Sequence, residues 1–181
     1  MLLCGAMVVG VLGYYVKFSP ANRVPEDQKR ASRTSPPVPR DDPTQAKTVQ
    51  SMRPEYQGDR LQFQSKTKPV PPGTNAIVFA VNEFLGSSQV APADAKLVTA
   101  QVKDKTVTLD FNAAFDTTYG TEDEHTILDG ILLAVGQFPS IDFVVFQVEG
   151  RPLETLGNID LTTPQKVIRK PHSHSSAPDL P

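Results

Sequence analysis

The sequence of 181 residues has almost no cysteine and no tryptophan at all. Its single cysteine, Cys4, cannot form an intramolecular disulfide, and one thiolate cannot build a structural zinc site. The absence of tryptophan removes a large aromatic side chain that would suit stacking on a sugar ring. These two absences exclude a disulfide-rich scaffold and a zinc finger, and they weigh against a carbohydrate-binding module.

Recognisable catalytic motifs are also absent. The chain contains no GxSxG nucleophile turn, no HExxH metal motif, no glycine-rich phosphate loop and no paired CxxC. Three groups of ionisable residues are candidates for chemistry: His125 with Glu122 and Asp129, His172 with His174, and Asp110 with Asp116 and Asp160. Each has a simpler explanation, namely a solvated helix start, a polar tail and a set of turn residues. We therefore predict a protein that is not an enzyme and that holds no metal or cofactor.

Positive and negative charges are segregated along the chain, although the net charge is only −2. Residues 17–71 carry 11 basic and 6 acidic side chains, whereas residues 72–165 carry 4 basic and 13 acidic ones. Phosphate contacts require lysine and arginine, so the acidic stretch is not expected to bind nucleic acid. The basic stretch could contact anionic lipid or an anionic wall polymer, but a solvated linker is the simpler interpretation.

The first 16 residues carry no charged side chain. As a helix they would span about 24 Å, slightly less than the roughly 30 Å of a bilayer core. We predict a single-pass membrane anchor over residues 1–18, with a cleaved signal peptide as the alternative. Basic residues follow at Lys17, Arg23, Lys29 and Arg30. The positive-inside rule would then keep the rest of the chain in the cytoplasm, so these residues alone leave the topology open.

Proline is concentrated in the next stretch, since ten of the 17 prolines lie between residues 20 and 72. Proline has no backbone N–H to donate and disrupts helix interiors, so such stretches stay extended. We predict a linker over residues 19–68, in which residues 61–63 form a weak strand candidate. The polar residues 166–181 are predicted to be a disordered tail, which leaves residues 69–165 as the folded domain.

Residues 75–85 predict the first helix of this domain. Their apolar side chains recur every three to four positions and form one stripe, as in a helix packed on a core. Thr74 or Asn75 can cap its start, and Gly86 can end it in the left-handed conformation.

A second helix is predicted to start at residue 121. Thr121 and Glu124 have the spacing of a capping box, in which each side chain bonds the backbone amide of the other residue. An apolar stripe follows, formed by Ile127, Leu128, Ile131, Leu132 and Val135. Gly136 and Pro139 are expected to stop the helix.

Three strands complete the domain. Residues 97–103 and 105–111 alternate apolar and polar side chains on either side of a short connection, which predicts a hairpin. Residues 141–148 are apolar on both faces, as in a central strand. The order helix-strand-strand-helix-strand predicts an α+β fold. Its two helices lie on one face of a three-stranded mixed sheet, in which the last two strands run parallel.

The same region resembles the GerMN domain, a bacterial family named for a spore-germination protein. The resemblance runs from about residue 69 to residue 164. It is carried by PVPPGT before the first helix, KLVTAQVKDKTVTLDFNAAF in the paired strands, Phe138-Pro139 and Glu149-Gly150, and ETLGNIDL over residues 154–161. The chain departs from the family at Gly86, which is followed by serine where the family usually has proline.

The resemblance implies a membrane-tethered or secreted bacterial protein whose domain lies outside the cytoplasm and assembles with other proteins, as ring-building modules do. It singles out part of the closing string as an interaction motif: Glu154, Thr155, Leu156, Gly157 and Asp160. A structural turn is the simpler interpretation of the same residues, because the Gly157-Asn158 pair favours positive φ angles.

The function expected from these observations is that of a non-catalytic, membrane-anchored envelope protein in sporulation or germination. Its partners would be envelope proteins or further copies of itself, with the membrane contacted through residues 1–18 and nucleic acid excluded. The alternative is a peptidoglycan-associated binding module or an accessory to a cell-wall hydrolase. A lipoprotein-like factor acylated at Cys4 is a third interpretation.

Overall fold

The computed structural model describes residues 42–58, 60–169 and 174–175. The strands are β1 (Thr48–Gln57), β2 (Arg60–Pro69), β3 (Leu97–Lys103), β4 (Thr106–Phe111), β5 (Phe143–Val148), β6 (Arg151–Pro152), β7 (Thr155–Leu156), β8 (Ile159–Asp160), β9 (Gln165–Lys166) and β10 (His174–Ser175). The helices are α1 (Ala76–Ser88) and α2 (Thr121–Gly136). The predicted anchor, residues 1–18, lies outside the described residues. Within them, neither helix is long and apolar enough to cross a bilayer.

A mixed sheet of five strands forms one side of the domain. β3 and β4 pair antiparallel, β4 and β5 pair parallel, and the short strands β6 and β9 both pair with the other edge of β5. The predicted hairpin and the predicted parallel pair are therefore confirmed. The prediction of three strands is incomplete, because two-residue strands give too little sequence pattern to be recognised.

The first helix is confirmed, but its end differs from the prediction. The Asn75 side chain caps α1 by accepting hydrogen bonds from the amides of Ile77 and Val78. The helix continues past Gly86 to Ser88, and Gln89 adopts the left-handed conformation with φ 61°. Ser87 supplies a reason for the extension, since its hydroxyl donates to the Met52 carbonyl of β1 at 2.9 Å and so fixes the last turn.

The second helix is buried around most of its circumference. The predicted apolar stripe is in the core, and α2 ends at Gly136 as predicted. The predicted capping box is wrong, because Gly120 occupies the N-cap position and makes no side-chain bond. Glu124 is turned into the protein instead, with a relative exposure of 2%.

Residues 48–69 form a long antiparallel hairpin, β1 and β2, and not the predicted linker. Four of its side chains are buried in the core: Val49, Met52, Leu61 and Phe63. Full burial of such a side chain stabilises a fold by roughly 1.5–3 kcal/mol. The predicted domain boundary at residue 68 must therefore be moved to the amino-terminal side of β1. Pro54 is accommodated within β1, where it lies opposite Phe63.

The hairpin contacts α2 on the side that faces away from the apolar stripe. The Gln137 amide accepts from the Gln50 backbone N–H at 2.6 Å and donates to the Gln50 carbonyl at 3.1 Å. The Tyr56 and Thr126 hydroxyls are hydrogen-bonded at 3.1 Å. Residues 126 and 137 are about three helical turns apart and share one side of α2. The helices therefore form a middle layer between the hairpin and the five-stranded sheet.

The chain after β9 is packed against α2, which corrects the prediction of a disordered tail from residue 166. Val167 is buried, and the Ile168 amide donates to the Leu132 carbonyl at 3.2 Å. The Arg169 guanidinium donates to the carbonyls of Gly136 at 2.9 Å and Ile141 at 2.8 Å. A cation that bonds the last carbonyls of a helix also opposes the helix dipole. We call residues 165–169 the strap.

Contact between the two helices depends on the absence of a side chain at position 130. A Cβ atom at Gly130 would lie 2.0 Å from the fully buried Phe84 ring. We expect Gly130→Ala to lower the free energy of unfolding by about 1–3 kcal/mol. The control is Gly86→Ala, where a Cβ meets no atom within 4 Å and helix propensity favours alanine by roughly 0.5–1 kcal/mol. Urea unfolding measures both variants, and an equal effect would contradict the packing argument.

The strap should also loosen in acid. Hydrogen bonds from Lys105 and then Arg169 lower the pKa of Asp142 below its ordinary value of 3.8. A carboxyl group whose pKa is lower in the folded than in the unfolded chain stabilises the fold at pH values above its ordinary pKa. This stabilisation is lost as the pH falls through the lowered pKa. We expect the amide shifts of Val167 and Ile168 to change as the pH falls below about 4. In the Asp142→Asn variant this pH-dependent change of the amide shifts should disappear. If it persists, another group is responsible for it.

Candidate functional site

The predicted motif, residues 154–160, forms a small two-stranded hairpin. β7 and β8 pair antiparallel, and the Leu161 amide closes the loop by donating to the Glu154 carbonyl at 2.8 Å. Leu156 is buried and anchors the hairpin in the core, whereas Glu154, Thr155 and Asp160 are exposed. The motif therefore divides into one core residue and a set of exposed polar side chains. We call residues 155–160 the closing turn.

Glu124 fixes the closing turn to α2. Its carboxylate accepts from the Asn158 backbone amide at 2.9 Å and lies 3.4 Å from the Asn158 side-chain amide. A buried carboxylate is costly unless hydrogen bonds replace its lost hydration. The two bonds from Asn158 meet this need. They also explain why Glu124 does not complete the predicted capping box.

Gly157 is required by two independent constraints. Its φ angle is 58°, a conformation that costs other L-residues about 1–2 kcal/mol. A Cβ atom at this position would also lie 1.9 Å from Oε1 of Glu124. Glycine therefore permits both the turn geometry and the approach of the buried carboxylate.

A polar cleft of about 460 Å³ lies between the closing turn and the segment that precedes α2. It is lined by Asp116, Thr117, Thr118, Tyr119, Glu124, Thr155, Leu156, Gly157 and Asn158. Most of these residues offer hydrogen-bonding groups, and three of the predicted motif residues are among them. The cleft is therefore the candidate functional site.

The ionisable groups of the cleft are largely committed to structure. The Tyr119 hydroxyl donates to the Phe115 carbonyl at 2.9 Å. Burial, followed by the nearby charge of Asp116, raises the pKa of Tyr119 to about 12. The phenol therefore stays protonated at neutral pH and is no nucleophile there. Since Glu124 is bonded to Asn158, Asp116 is the exposed carboxylate that can meet a ligand. This set of groups suits recognition by hydrogen bonds.

The three predicted carboxylates have separate roles. Asp110 accepts from the Gly150 amide at 2.9 Å. Asp160 accepts from the Thr162 hydroxyl at 2.6 Å and the Thr162 amide at 2.8 Å, and these two bonds lower the pKa of Asp160. Asp116 alone of the three lines the cleft. Asp110 and Asp160 thus serve local turns.

The histidine candidates receive no support as ligands. His125 is exposed at the start of α2, and no group of three or more metal-ligating side chains occurs within residues 42–58, 60–169 and 174–175. His172 lies outside the described residues. His174 belongs to β10, which pairs with β2.

A larger open groove of about 760 Å³ lies at the opposite end of α2, between residues 42–48 and 137–140. Its wall is mainly apolar, and it contains none of the predicted motif residues. The Asp42 carboxylate at its rim is used to cap a short 3₁₀ turn through the Thr44 amide. The smaller polar cleft therefore remains the better candidate for a specific site.

Sequence reasoning missed the other wall of the cleft. Thr117 and Thr118 carried no signal because they lie in an irregular segment. The sequence pattern identifies Asn158 only as a turn residue and Glu124 only as a cap. The sequence does place acidic residues at the start of a long apolar helix. It cannot show which of their carboxylates turns into the protein.

The architecture is that of a GerMN-type α+β domain. The structure of the tandem GerMN domains of the sporulation protein GerM from Bacillus subtilis matches with 22% identity and a TM-score of 0.50, covering 65% of this chain and 46% of that one. The first GerMN domain of the same protein matches with 23% identity and a TM-score of 0.46, over 64% and 94% of the two chains. This chain thus spans less than half of the tandem structure.

The family profile described as Germane, sporulation and spore germination, matches residues 13–154. That range is more than half of the chain, and the protein belongs to this family. The resemblance to the GerMN domain is thereby confirmed, and it links the chain to sporulation and germination. The matched range includes β1 and β2, in agreement with their place in the fold, and it ends just before the closing turn. No curated protein matches the sequence.

The link between Glu124 and the closing turn can be tested at Gly157. We expect Gly157→Ala to lower the free energy of unfolding by about 3 kcal/mol, because it adds backbone strain and displaces a buried carboxylate. Gly150→Ala is the matched control, since φ is 74° there but no atom lies within 4 Å of the added Cβ. That variant should lose only about 1–2 kcal/mol. Thermal unfolding measures both, and equal losses would refute the role of Glu124.

Proposed function

We propose that this protein is a non-catalytic, membrane-tethered envelope protein whose GerMN-type domain holds partner proteins together during sporulation or germination. The observation that carries the proposal is the polar cleft beside a closing turn that Glu124 holds in place. The family supplies the cellular process. The predicted anchor, residues 1–18, would supply the tether. Residues 19–47 would connect this anchor to β1.

A turn that is already rigid favours binding, because it loses little conformational entropy when a partner docks. The closing turn is fixed by the core position of Leu156, by the Glu124 carboxylate and by its own strand pairing. Thr155 on this turn and Glu154 just before it are exposed. Ordering a flexible side chain at an interface costs about 0.5–1.5 kcal/mol, so a preorganised surface binds better for the same contacts.

The edge strands β1 and β3 each have one residue whose backbone groups are already bonded by a side chain. This favours docking of a partner on a face or in a cleft and not as an added strand. Gln137 bonds both backbone groups of Gln50 on β1. Asn82 does the same for Leu97 on β3, accepting from its amide at 2.8 Å and donating to its carbonyl at 3.0 Å. At these two positions the side chains occupy backbone groups that an incoming strand would otherwise pair with.

The side chains of the cleft suit the binding of another molecule better than catalysis. Tyr119 stays protonated, and Glu124 is occupied by Asn158. General acid–base catalysis requires a positioned group with a pKa near the working pH. Threonine hydroxyls, Asp116 and backbone groups are suited to binding a polar segment of another protein.

Site-specific photo-cross-linking in host cells tests this function. A photoreactive amino acid replaces Thr155 in the full chain, and the membrane fraction is searched for adducts by mass spectrometry. We expect discrete adducts with envelope proteins, because Thr155 is exposed at the rim of the cleft. The control position is Thr67, an exposed threonine on β2.

The outcomes separate the two functional classes. Discrete protein adducts at Thr155 that are weaker at Thr67 support the proposal. Adducts that consist of wall polymer would replace it with the alternative, a peptidoglycan-associated module. Equal labelling at Thr155 and Thr67 would refute a specific role for the cleft.

A further inference from the structure

Within residues 42–58, 60–169 and 174–175, the outer face of the five-stranded sheet is the one opposite the two helices. Its inner face packs into the core through the buried residues of the two central strands: Val107, Leu109, Phe111, Val144, Phe146 and Val148. Side chains alternate along a strand, so the intervening residues point outward. The pairing register arranges them in three rows across β3, β4 and β5: Lys103-Thr106-Phe143, Gln101-Thr108-Val145 and Thr99-Asp110-Gln147. We call this set the outer face.

Apolar side chains are exposed on and beside this face. Phe143 at one corner has a relative exposure of 40%, and Val145 in the middle row is half-buried. Val98, in the β-bulge at the opposite corner, has a relative exposure of 58%. Phe143 and Val145 are two residues apart on one strand and form the apolar part of this face, whereas Val98 is exposed singly at the far corner.

The charged residues of this side of the sheet lie at opposite ends: Lys103 and, on β9 opposite Phe143, Lys166 at the first-row end, and Asp110 at the third-row end. Lys103 lies in the first row and Asp110 in the third, about 13 Å away along the strands at 3.3 Å per residue. A two-fold axis across the strands through the middle row exchanges the first and third rows. Lys103 of one copy then lies over strand β3 of the other copy, next to the strand β4 that carries Asp110. The lysine side chain is long enough to reach this aspartate. The face is thus complementary in charge to a second copy of itself.

We propose that two copies of this chain pack through their outer faces in an isologous dimer. Each copy contributes the same patch, and the Lys103–Asp110 pair forms twice, once on each side of the axis. The middle-row residues Thr108 and Val145 lie at the centre of the contact. The proposal rests on the assembly function above and identifies one of its partners as a second copy of the chain.

The size of the patch predicts a weak contact. Nine side chains on each copy are fewer than the roughly 20–30 residues a side of a standard interface. Such a dimer would need a high local concentration, which tethering to a common membrane would provide. The polar cleft is lined by a different set of residues, so it would remain available to other partners.

Cysteine cross-linking of the membrane-bound full chain tests the geometry. Cys4 is replaced by serine, and one new cysteine is introduced as Thr108→Cys or, for the control, Ser65→Cys. Ser65 is exposed on β2 in the hairpin layer. Packed sheets are about 10 Å apart, so a bis-maleimide reagent with a spacer of about 10 Å suits the contact better than a disulfide. We expect a dimer for Thr108→Cys with a yield at least about fivefold that of Ser65→Cys.

Charge reversal tests the pairing. Lys103→Glu places two like-charged pairs in the contact, and we expect it to lower the Thr108→Cys dimer yield by about fivefold or more. Lys66→Glu makes the same change in net charge on the exposed surface of the hairpin and should leave the yield unchanged. Adding Asp110→Lys to Lys103→Glu restores opposite charges and should recover the dimer. Circular dichroism melting checks that each variant is folded.

A Thr108→Cys dimer that responds to Lys103→Glu and not to Lys66→Glu supports the proposal. A yield no higher than that of Ser65→Cys, or one unaffected by Lys103→Glu, overturns it. Thr155 adducts with envelope proteins would still be seen if only this dimer were wrong. Loss of both signals would overturn the proposed assembly function as well.

Discussion

Helix α2 is the element on which the other parts of the domain depend. Twelve of its sixteen residues are buried, so no side of it can be left to water without a large loss of apolar burial. The five-stranded sheet covers the predicted stripe, α1 approaches at Gly130, and the hairpin covers the side that carries Thr126. The strap closes the remaining side near Gly136, where a Cβ would lie 2.0 Å from the Ile168 carbonyl oxygen. The need to cover this one helix explains why residues before and after the predicted domain are folded.

The closing turn follows from the same constraint. Of the first four residues of α2, Glu124 alone is buried, so it cannot remain a solvated cap. Its carboxylate needs hydrogen-bond donors, and Asn158 supplies them from a turn that only glycine at position 157 allows to approach so closely. A requirement of stability thus produces a surface of fixed shape. The structural and functional interpretations of this motif are therefore compatible.

Sequence patterns predicted the parts of this fold in which a single element buries a continuous apolar stripe. The Asn75 cap, the α2 stripe and the parallel pairing of β4 and β5 are of this kind. Of the hairpin, the sequence predicts only a weak strand candidate at residues 61–63, because the four core residues are separated by polar residues and a proline and show no clean alternation. The strap was missed because a two-residue strand has no period. In the site, the motif residues could be named in advance, but the cleft depends on long-range contacts such as that of Glu124 with Asn158, 34 positions away.

The way this domain satisfies its strand edges constrains how it can assemble. The amides of Gln137 and Asn82 bond backbone groups of β1 and β3 that an added strand would otherwise use. At Gln50 and Leu97 an added strand could not pair, and the proposed partners would approach through side chains, in the polar cleft or on the outer face of the sheet. These two surfaces share no residue, and binding at one leaves the lining of the other unchanged. A dimer formed through the sheet would carry two clefts, so each partner would meet a bivalent surface. Bivalence raises the effective strength of weak contacts when both sites can be engaged at once.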